Sequence, residues 1–317
     1  MARIVVSGRV PAPALELLRE HGDTWAWEHT DPIGADELAA QLATAEALVS
    51  VFAPVDRATL DAGPHLKVVA NVAVGYDNID VAECTARGIR VTNTPDVLTD
   101  ATADVAFGLL LSVTRRLGEA ERLLRSRAPM RWGFENLLGT GLQGRQMGVV
   151  GMGAIGAAVA RRARAFGMSV AYHNRRPVAP ELEAELGARL LPLDELLATS
   201  DVVSLNCPHT PETHHLIDAA ALATMRPTTF LVNTARGKVV DEAALVDALQ
   251  RGTIAGAALD VFEFEPDVHP GLLELDNVAL APHIGSATVE TRTAMAVLAA
   301  RNVLAVLAGQ EPPTPVN

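Results

Sequence analysis

"VVGMGAIGAAVARR", residues 149–162, is an apolar run that breaks into three glycines and then continues with helical periodicity. Gly151 permits a tight turn, Gly153 lets the backbone approach a pyrophosphate, and Gly156 lets the helix pack closely on its strand. The helix start then offers free N–H groups and a partial positive charge to the phosphates. Three glycines alone also suit a plain packing turn. The frame decides between the two: a strand precedes them, a helix follows, and a second strand, "MSVAYH" (168–173), ends where a ribose would be read.

Outward from this point, short apolar runs alternate with amphipathic segments. Before it, "RIVVSG", "ALVSVF", "KVVANVAV" and "IRVTN" read as buried strands. "APALELLREHG", "ADELAAQLA" and "NIDVAECTARG" lie between them with apolar residues at helical spacing. After it come "DVVSLN", "TTFLVN", "IAGAALD" and "NVALAP". This rhythm predicts an α/β protein of two doubly wound parallel sheets. A long helix is expected from Thr99 to about Arg127, with an apolar stripe of Val105, Leu109, Leu110, Val113 and Leu117. The last helix, about Thr288 to Leu307, is expected to cross back to the first domain. The predicted division is 1–98 with 286–317 for substrate, and 99–285 for the dinucleotide.

Composition narrows the function classes. In 317 residues, 49% are hydrophobic and 20% charged, an ordinary globular balance. A net charge of −12 argues against nucleic acid as a partner, which would want a basic face. Two distant cysteines, Cys84 and Cys207, suit a reducing compartment. The start "MARIVVSGRVPAPALELL" has no apolar core behind a basic head, and no window approaches the ~20 apolar residues of a membrane helix. A cytoplasmic protein with no membrane partner is expected.

The residue that should specify the ribose lies 18 positions beyond Gly156, in "AYHNRRP" (171–177). An acid there bonds the ribose hydroxyls of NAD and repels a 2′-phosphate. Here stand Asn174, Arg175 and Arg176, and guanidinium groups suit a phosphate dianion. NADP, as NADPH, is therefore the expected cofactor, with NAD the alternative.

Three titratable side chains leave strand ends of the second series: Arg236 in "LVNTARG", Glu265 in "LDVFEFEP" and His283 in "APHIGSAT". Singly each has a bland reading as a loop charge, a turn or a strand cap. Together they make a reaction centre. An arginine holds a carboxylate with two parallel hydrogen bonds, a histidine passes a proton, and a glutamate orients the imidazole and favours its protonated form.

With these in view the chain resembles the D-isomer-specific 2-hydroxyacid dehydrogenases, and within them the glyoxylate and hydroxypyruvate reductases. "NVAVGYDNID", "NTPDVLTDATAD", "VVGMGAIG", "CPHTPETHHLI", "LVNTARGKVVDEAAL", "LDVFEFEP" and "PHIGSAT" occur in the family's order across nearly the whole chain. The resemblance implies a Rossmann-type coenzyme domain inserted in a flavodoxin-like substrate domain, a homodimer, and active-site closure between domains. It implies catalysis by Arg236, Glu265 and His283, and substrate-carboxylate binding by N–H groups around Val74 and Gly75. It further implies cofactor contacts at Gly151, Gly153, Ala154, Ile155, Gly156, Thr102, Cys207, Pro208, Thr213, Thr234, Ala235, Asp260 and Gly285. Ala154 departs from the arginine that many relatives carry, which removes one phosphate contact. "VFAPVD" (51–56), with the apolar Phe52 and Ala53, is placed beside a small acid.

Rival readings stay open. Phosphite-oxidising relatives carry a lysine where Val74 stands, and formate dehydrogenases share the build. A nicotinamide-binding corepressor could lose Arg236, Glu265 or His283, yet all three are present. His209, His214 and His215 of "HTPETHH" lack an Asp or Cys at ligand spacing, so no metal is expected. Trp132 and Phe134 extend the apolar segment 99–138, which favours a dimer.

Overall fold

A computed structural model describes residues 1–129 and 132–317, and among these residues twelve strands form two all-parallel sheets. The chain divides into two compact units, Met1–Leu98 with Ser286–Asn317, and Thr99–Gly285.

The first unit runs β1 (Arg3–Val6), α1 (Ala12–His21), β2 (Asp23–Ala26), α2 (Ala35–Leu42), β3 (Ala47–Ser50), α3 (Arg57–Ala62), β4 (Val68–Asn71), α4 (Val81–Ala86) and β5 (Arg90–Thr92). Its strand order, β2-β1-β3-β4-β5, is the flavodoxin-like order. β3 and β4 are buried throughout because helices cover both faces of the sheet. Alternation sorts the side chains. Val5 joins Leu38, Leu42, Leu60 and Cys84 on one face, while Ile4 and Val6 join Leu18 and Ala299 on the other.

The second unit opens with α5 (Thr99–Thr114) and α6 (Leu117–Arg125), then β6 (Gln146–Val150), α7 (Ala154–Ala165), β7 (Ser169–His173), α8 (Pro180–Leu186) and β8 (Ala188–Leu190). It continues with α9 (Leu193–Thr199), β9 (Val202–Leu205), α10 (Ala219–Thr224), β10 (Phe230–Asn233), α11 (Glu242–Arg251), β11 (Gly256–Leu259), α12 (Pro270–Leu273) and β12 (Val278–Leu280). The order β12-β11-β10-β9-β6-β7-β8 is the Rossmann arrangement with one added strand. It reverses direction between β6 and β9, so the crevice at their carboxyl ends is where such sheets take ligands. The last helix, α13 (Val289–Leu307), returns to pack on α1, β3 and β4 of the first unit.

The single helix expected over Thr99–Arg127 is instead two. Arg116 takes a left-handed conformation, φ 54°, and its guanidinium clasps Glu119 at the start of α6. The buried face of α5 is Ala103, Ala106, Phe107, Leu110 and Val113, whereas Val105 and Leu109 are half-buried and Leu117 is exposed. No residue of α6 is buried, so periodicity alone could not reveal where packing on the sheet stops. β2 and β8 escape the sequence pattern as short edge strands with mixed exposure, and α3 as a six-residue helix capped by Asp56 on Thr59 N–H. Trp132 and Phe134 are almost wholly exposed, while Met130 and Arg131 of the same apolar stretch lie outside the described residues.

Candidate active site

The glycine turn follows from backbone geometry. Gly151 has φ 94°, and a Cβ there would stand 2.6 Å from Cys207 N. At Gly156 a Cβ would stand 2.2 Å from Gly151 O, so both positions exclude any side chain. At Gly153 a Cβ would meet nothing within 4 Å, and no side chain caps the start of α7. The turn therefore leaves an open approach to unbonded helix N–H groups, a cradle that fits a pyrophosphate. Ala154 and Ile155 form the first turn of α7.

Beside this cradle, Asn174 Oδ1 accepts from Met152 N–H at 2.7 Å, which latches the end of β7 to the glycine turn. Arg175 and Arg176 follow, both exposed. Buried polar atoms line the same strand ends: Thr234 Oγ1 and Asn206 Oδ1 have no hydrogen-bond partner among the described residues. An unsatisfied buried acceptor or hydroxyl costs about 1–3 kcal/mol, so these atoms suit a bound polar ligand. Thr102 is buried against Gly285, where a Cβ would stand 3.4 Å from Thr102 Cγ2. Burial pushes the Cys207 thiol up to about 11, so it stays protonated and inert. Pro208 O accepts from Thr213 Oγ1 at 2.7 Å, which closes the loop after β9.

Arg236, Glu265 and His283 leave the ends of β10, β11 and β12. Buried Asn233 shapes the first turn: its Oδ1 accepts from Ala235 N–H and its Nδ2 donates to Arg236 O. At Gly237 a Cβ would stand 1.9 Å from Phe262 C and O, so the arginine turn packs on the loop that carries Glu265. That loop brings Glu265 Oε2 to 2.9 Å from His283 Nδ1, while Oε1 accepts from Phe262 N–H at 2.9 Å. Burial works to raise the Glu265 carboxyl. The hydrogen bond and charge of His283, the Phe262 N–H and the charge of Arg236 outweigh it, and Glu265 titrates below the ordinary glutamate value.

His283 sits in a left-handed conformation, φ 53°, which few non-glycine residues adopt. Asp260 secures it. Asp260 O accepts from His283 N–H, and its two carboxylate oxygens accept from Ile284 and Gly285 N–H, each at 2.7 Å. Burial raises the Asp260 carboxyl above the ordinary aspartate value although these N–H groups oppose it. Both carboxylate oxygens are thus engaged in shaping the histidine loop. Asn233 escaped the sequence reading because an apolar strand ending in Asn carries no chemical signature.

His209 and His214 approach at 3.3 Å, His214 stacks on His215, and His215 Nε2 lies 2.7 Å from Glu263 Oε1. Among the described residues no group of three His, Cys, Asp or Glu side chains is arranged to hold a metal ion. Also among them, no helix is long and apolar enough to cross a membrane. In the first unit, Val74 and Gly75 lie half-buried on the loop after β4, and Phe52 is exposed with φ 59°.

Residues 107–285 match the family model "D-isomer specific 2-hydroxyacid dehydrogenase, NAD binding domain". The chain belongs to the D-isomer specific 2-hydroxyacid dehydrogenases. Within this dehydrogenase family it is 50% identical to the glyoxylate reductase of Thermococcus onnurineus over 320 residues, covering 99% of this chain and 96% of that protein. Among solved structures, the glyoxylate reductase from Paecilomyes thermophila superposes with a TM-score of 0.90 at 36% identity, covering 99% of this chain and 98% of the other. The NADPH-dependent glyoxylate/hydroxypyruvate reductase from Sinorhizobium meliloti, bound to NADP and malonate, superposes with a TM-score of 0.88 at 43% identity, covering 99% and 96%. The dehydrogenase is thus an oxidoreductase with a nicotinamide dinucleotide site in its second unit.

Proposed function

We propose that this dehydrogenase reduces glyoxylate, and hydroxypyruvate with it, to the 2-hydroxy acid at the expense of NADPH. The observation that carries the reading is the pairing of His283 with Glu265, packed against the turn that holds Arg236. The bound cofactor supplies the hydride. Arg236 binds the substrate and polarises its carbonyl; His283 donates the proton that turns the carbonyl oxygen into a hydroxyl. Glu265 keeps the imidazole oriented through its contact with Nδ1. The N–H groups around Val74 and Gly75 hold the substrate carboxylate, so Met1–Leu98 with Ser286–Asn317 serves as the substrate domain and Thr99–Gly285 as the coenzyme domain.

The cradle of Gly151, Gly153, Ala154, Ile155 and Gly156 takes the pyrophosphate. Thr102, Cys207, Pro208, Thr213, Thr234, Ala235, Asp260 and Gly285 flank the cofactor, and Asp260 also braces the histidine loop. Exposed Arg175 and Arg176 favour a 2′-phosphate, and the named NADPH dependence of the Sinorhizobium enzyme points the same way. The protein works as a homodimer in the cytoplasm, with Trp132 and Phe134 in the dimer contact. Turnover of glyoxylate with NADPH and with NADH tests the reading. No turnover with either cofactor overturns it.

A further inference from the structure

We infer that Asn93 and Asn71 are positioning residues for the substrate carboxylate, acting by locking the peptide planes of the loop Val74–Tyr76. The inference rests on the proposal that this loop receives the carboxylate. Three successive carbonyls there each accept a hydrogen bond. Ala73 O accepts from Thr94 N–H at 2.9 Å, Val74 O from Asn93 Nδ2 at 2.8 Å, and Gly75 O from Asn71 Nδ2 at 2.7 Å.

In a planar trans peptide the carbonyl and the following N–H point in opposite directions. Among the described residues the one cis bond is Glu265–Pro266, so these three are trans. Fixing the carbonyls of Ala73, Val74 and Gly75 therefore fixes the N–H groups of Val74, Gly75 and Tyr76, turned away from their donors. Among the described residues none of these three N–H groups meets a hydrogen-bond acceptor. Successive backbone N–H groups held in this way bind anions, and neutral donors suit a monoanionic carboxylate.

The two asparagines are themselves braced. Asn71 is 1% exposed, and its Oδ1 lies 3.5 Å from Asn78 Nδ2. Asn93 O accepts from Thr314 Oγ1 at 2.6 Å, and Asn93 N–H donates to Thr314 O at 3.3 Å. The C-terminal tail thus anchors the residue that orients the Gly75 N–H.

The test uses full-length Asn93→Ala and Asn71→Ala, with Asn93→Ser as the smaller change should either alanine variant fold poorly. Each is assayed for glyoxylate kinetics, for inhibition by oxamate, a carboxylate that cannot be turned over to product, and for NADPH affinity. Losing one orienting hydrogen bond should raise the glyoxylate KM and the oxamate inhibition constant about tenfold. Turnover at saturation should fall less than about threefold and NADPH affinity should hold. A merely structural role would lower the melting temperature without selectively weakening oxamate. Unchanged oxamate inhibition in a folded Asn93→Ser or alanine variant overturns the inference alone. A wild type that neither reduces glyoxylate nor binds oxamate overturns the functional reading and the inference with it.

Discussion

The Glu265 carboxylate is shared between His283 Nδ1 and Phe262 N–H, each 2.9 Å from its own oxygen. The glutamate is therefore fixed by its own loop before it orients the imidazole. His283→Asn should remove most turnover and leave NADPH binding intact, because the change removes the proposed proton donor and leaves the glycine turn untouched. Glu265→Gln should act more mildly, lowering glyoxylate turnover because the carboxylate that holds His283 Nδ1 in place is replaced by an amide. The sign of the stability effect follows from the depressed Glu265 carboxyl. Its contribution is present above the ordinary value of 4.5 and is lost as pH falls below it. Unfolding against pH should be flatter in Glu265→Gln than in wild type over that acid range. Unchanged glyoxylate turnover in Glu265→Gln would show that the pair does not act in the reaction.

Arg236→Ala should raise KM and lower kcat together, because the proposed role of the guanidinium is both to bind the substrate and to polarise its carbonyl more strongly in the transition state. Loss of a charge-assisted two-pronged contact should cost about 2–4 kcal/mol in kcat/KM. Asn233 holds the turn through backbone atoms, so the fold should survive the change at Arg236. Near-normal glyoxylate kinetics would remove Arg236 from the site.

Gly153→Ala and Gly156→Ala should separate cofactor binding from folding. The Gly153 Cβ would enter open space, so the melting temperature should hold while NADPH affinity falls by an order of magnitude or more. The Gly156 Cβ would stand 2.2 Å from Gly151 O, so that variant should lose stability outright. Thermal melts with NADPH titrations read both effects. Equal NADPH affinity in Gly153→Ala and wild type would argue against a pyrophosphate at the turn.

Cofactor preference should turn on charge at the end of β7. Asn174 Oδ1 accepts from Met152 N–H, and an aspartate in its place can accept the same bond. Asn174→Asp with Arg175→Ala therefore changes the charge at the end of β7 and keeps the latch. A charged hydrogen bond is worth about 1.5–3 kcal/mol, so wild type should prefer NADPH by roughly tenfold to a hundredfold in kcat/KM. The double variant should erode or reverse this. A wild type that favours NADH would make Arg175 and Arg176 surface charge only.

Leu117, Leu124, Trp132, Phe134 and Leu138 are all exposed within one segment, and large apolar side chains that lie together mark interaction surfaces. Sedimentation should find a homodimer at micromolar concentration. Trp132→Ser with Phe134→Ser should shift it toward monomer, and a monomeric wild type would refute the assignment.

The sequence by itself determined the doubly wound fold and the family, because both depend on local signals. Buried parallel strands are short, uniformly apolar and separated by helical periodicity. A glycine that must take φ 94° or sit against a carbonyl has no substitute. The titratable types were also legible, since Arg236, Glu265 and His283 each stand in a loop that follows an apolar strand. Edge strands and helix ends were not. β2 and β8 are short and half-exposed, and the break at Arg116 depends on where α5 leaves the sheet. Only the tertiary structure decided that Glu265 reaches His283 across 18 residues, that both Asp260 oxygens brace the histidine loop, and that Asn71 and Asn93 hold neighbouring carbonyls. A hydrogen bond between loops from different strands needs both backbones placed to within a fraction of an ångström. That placement comes from the packed sheet beneath them, and no spacing along the chain encodes it.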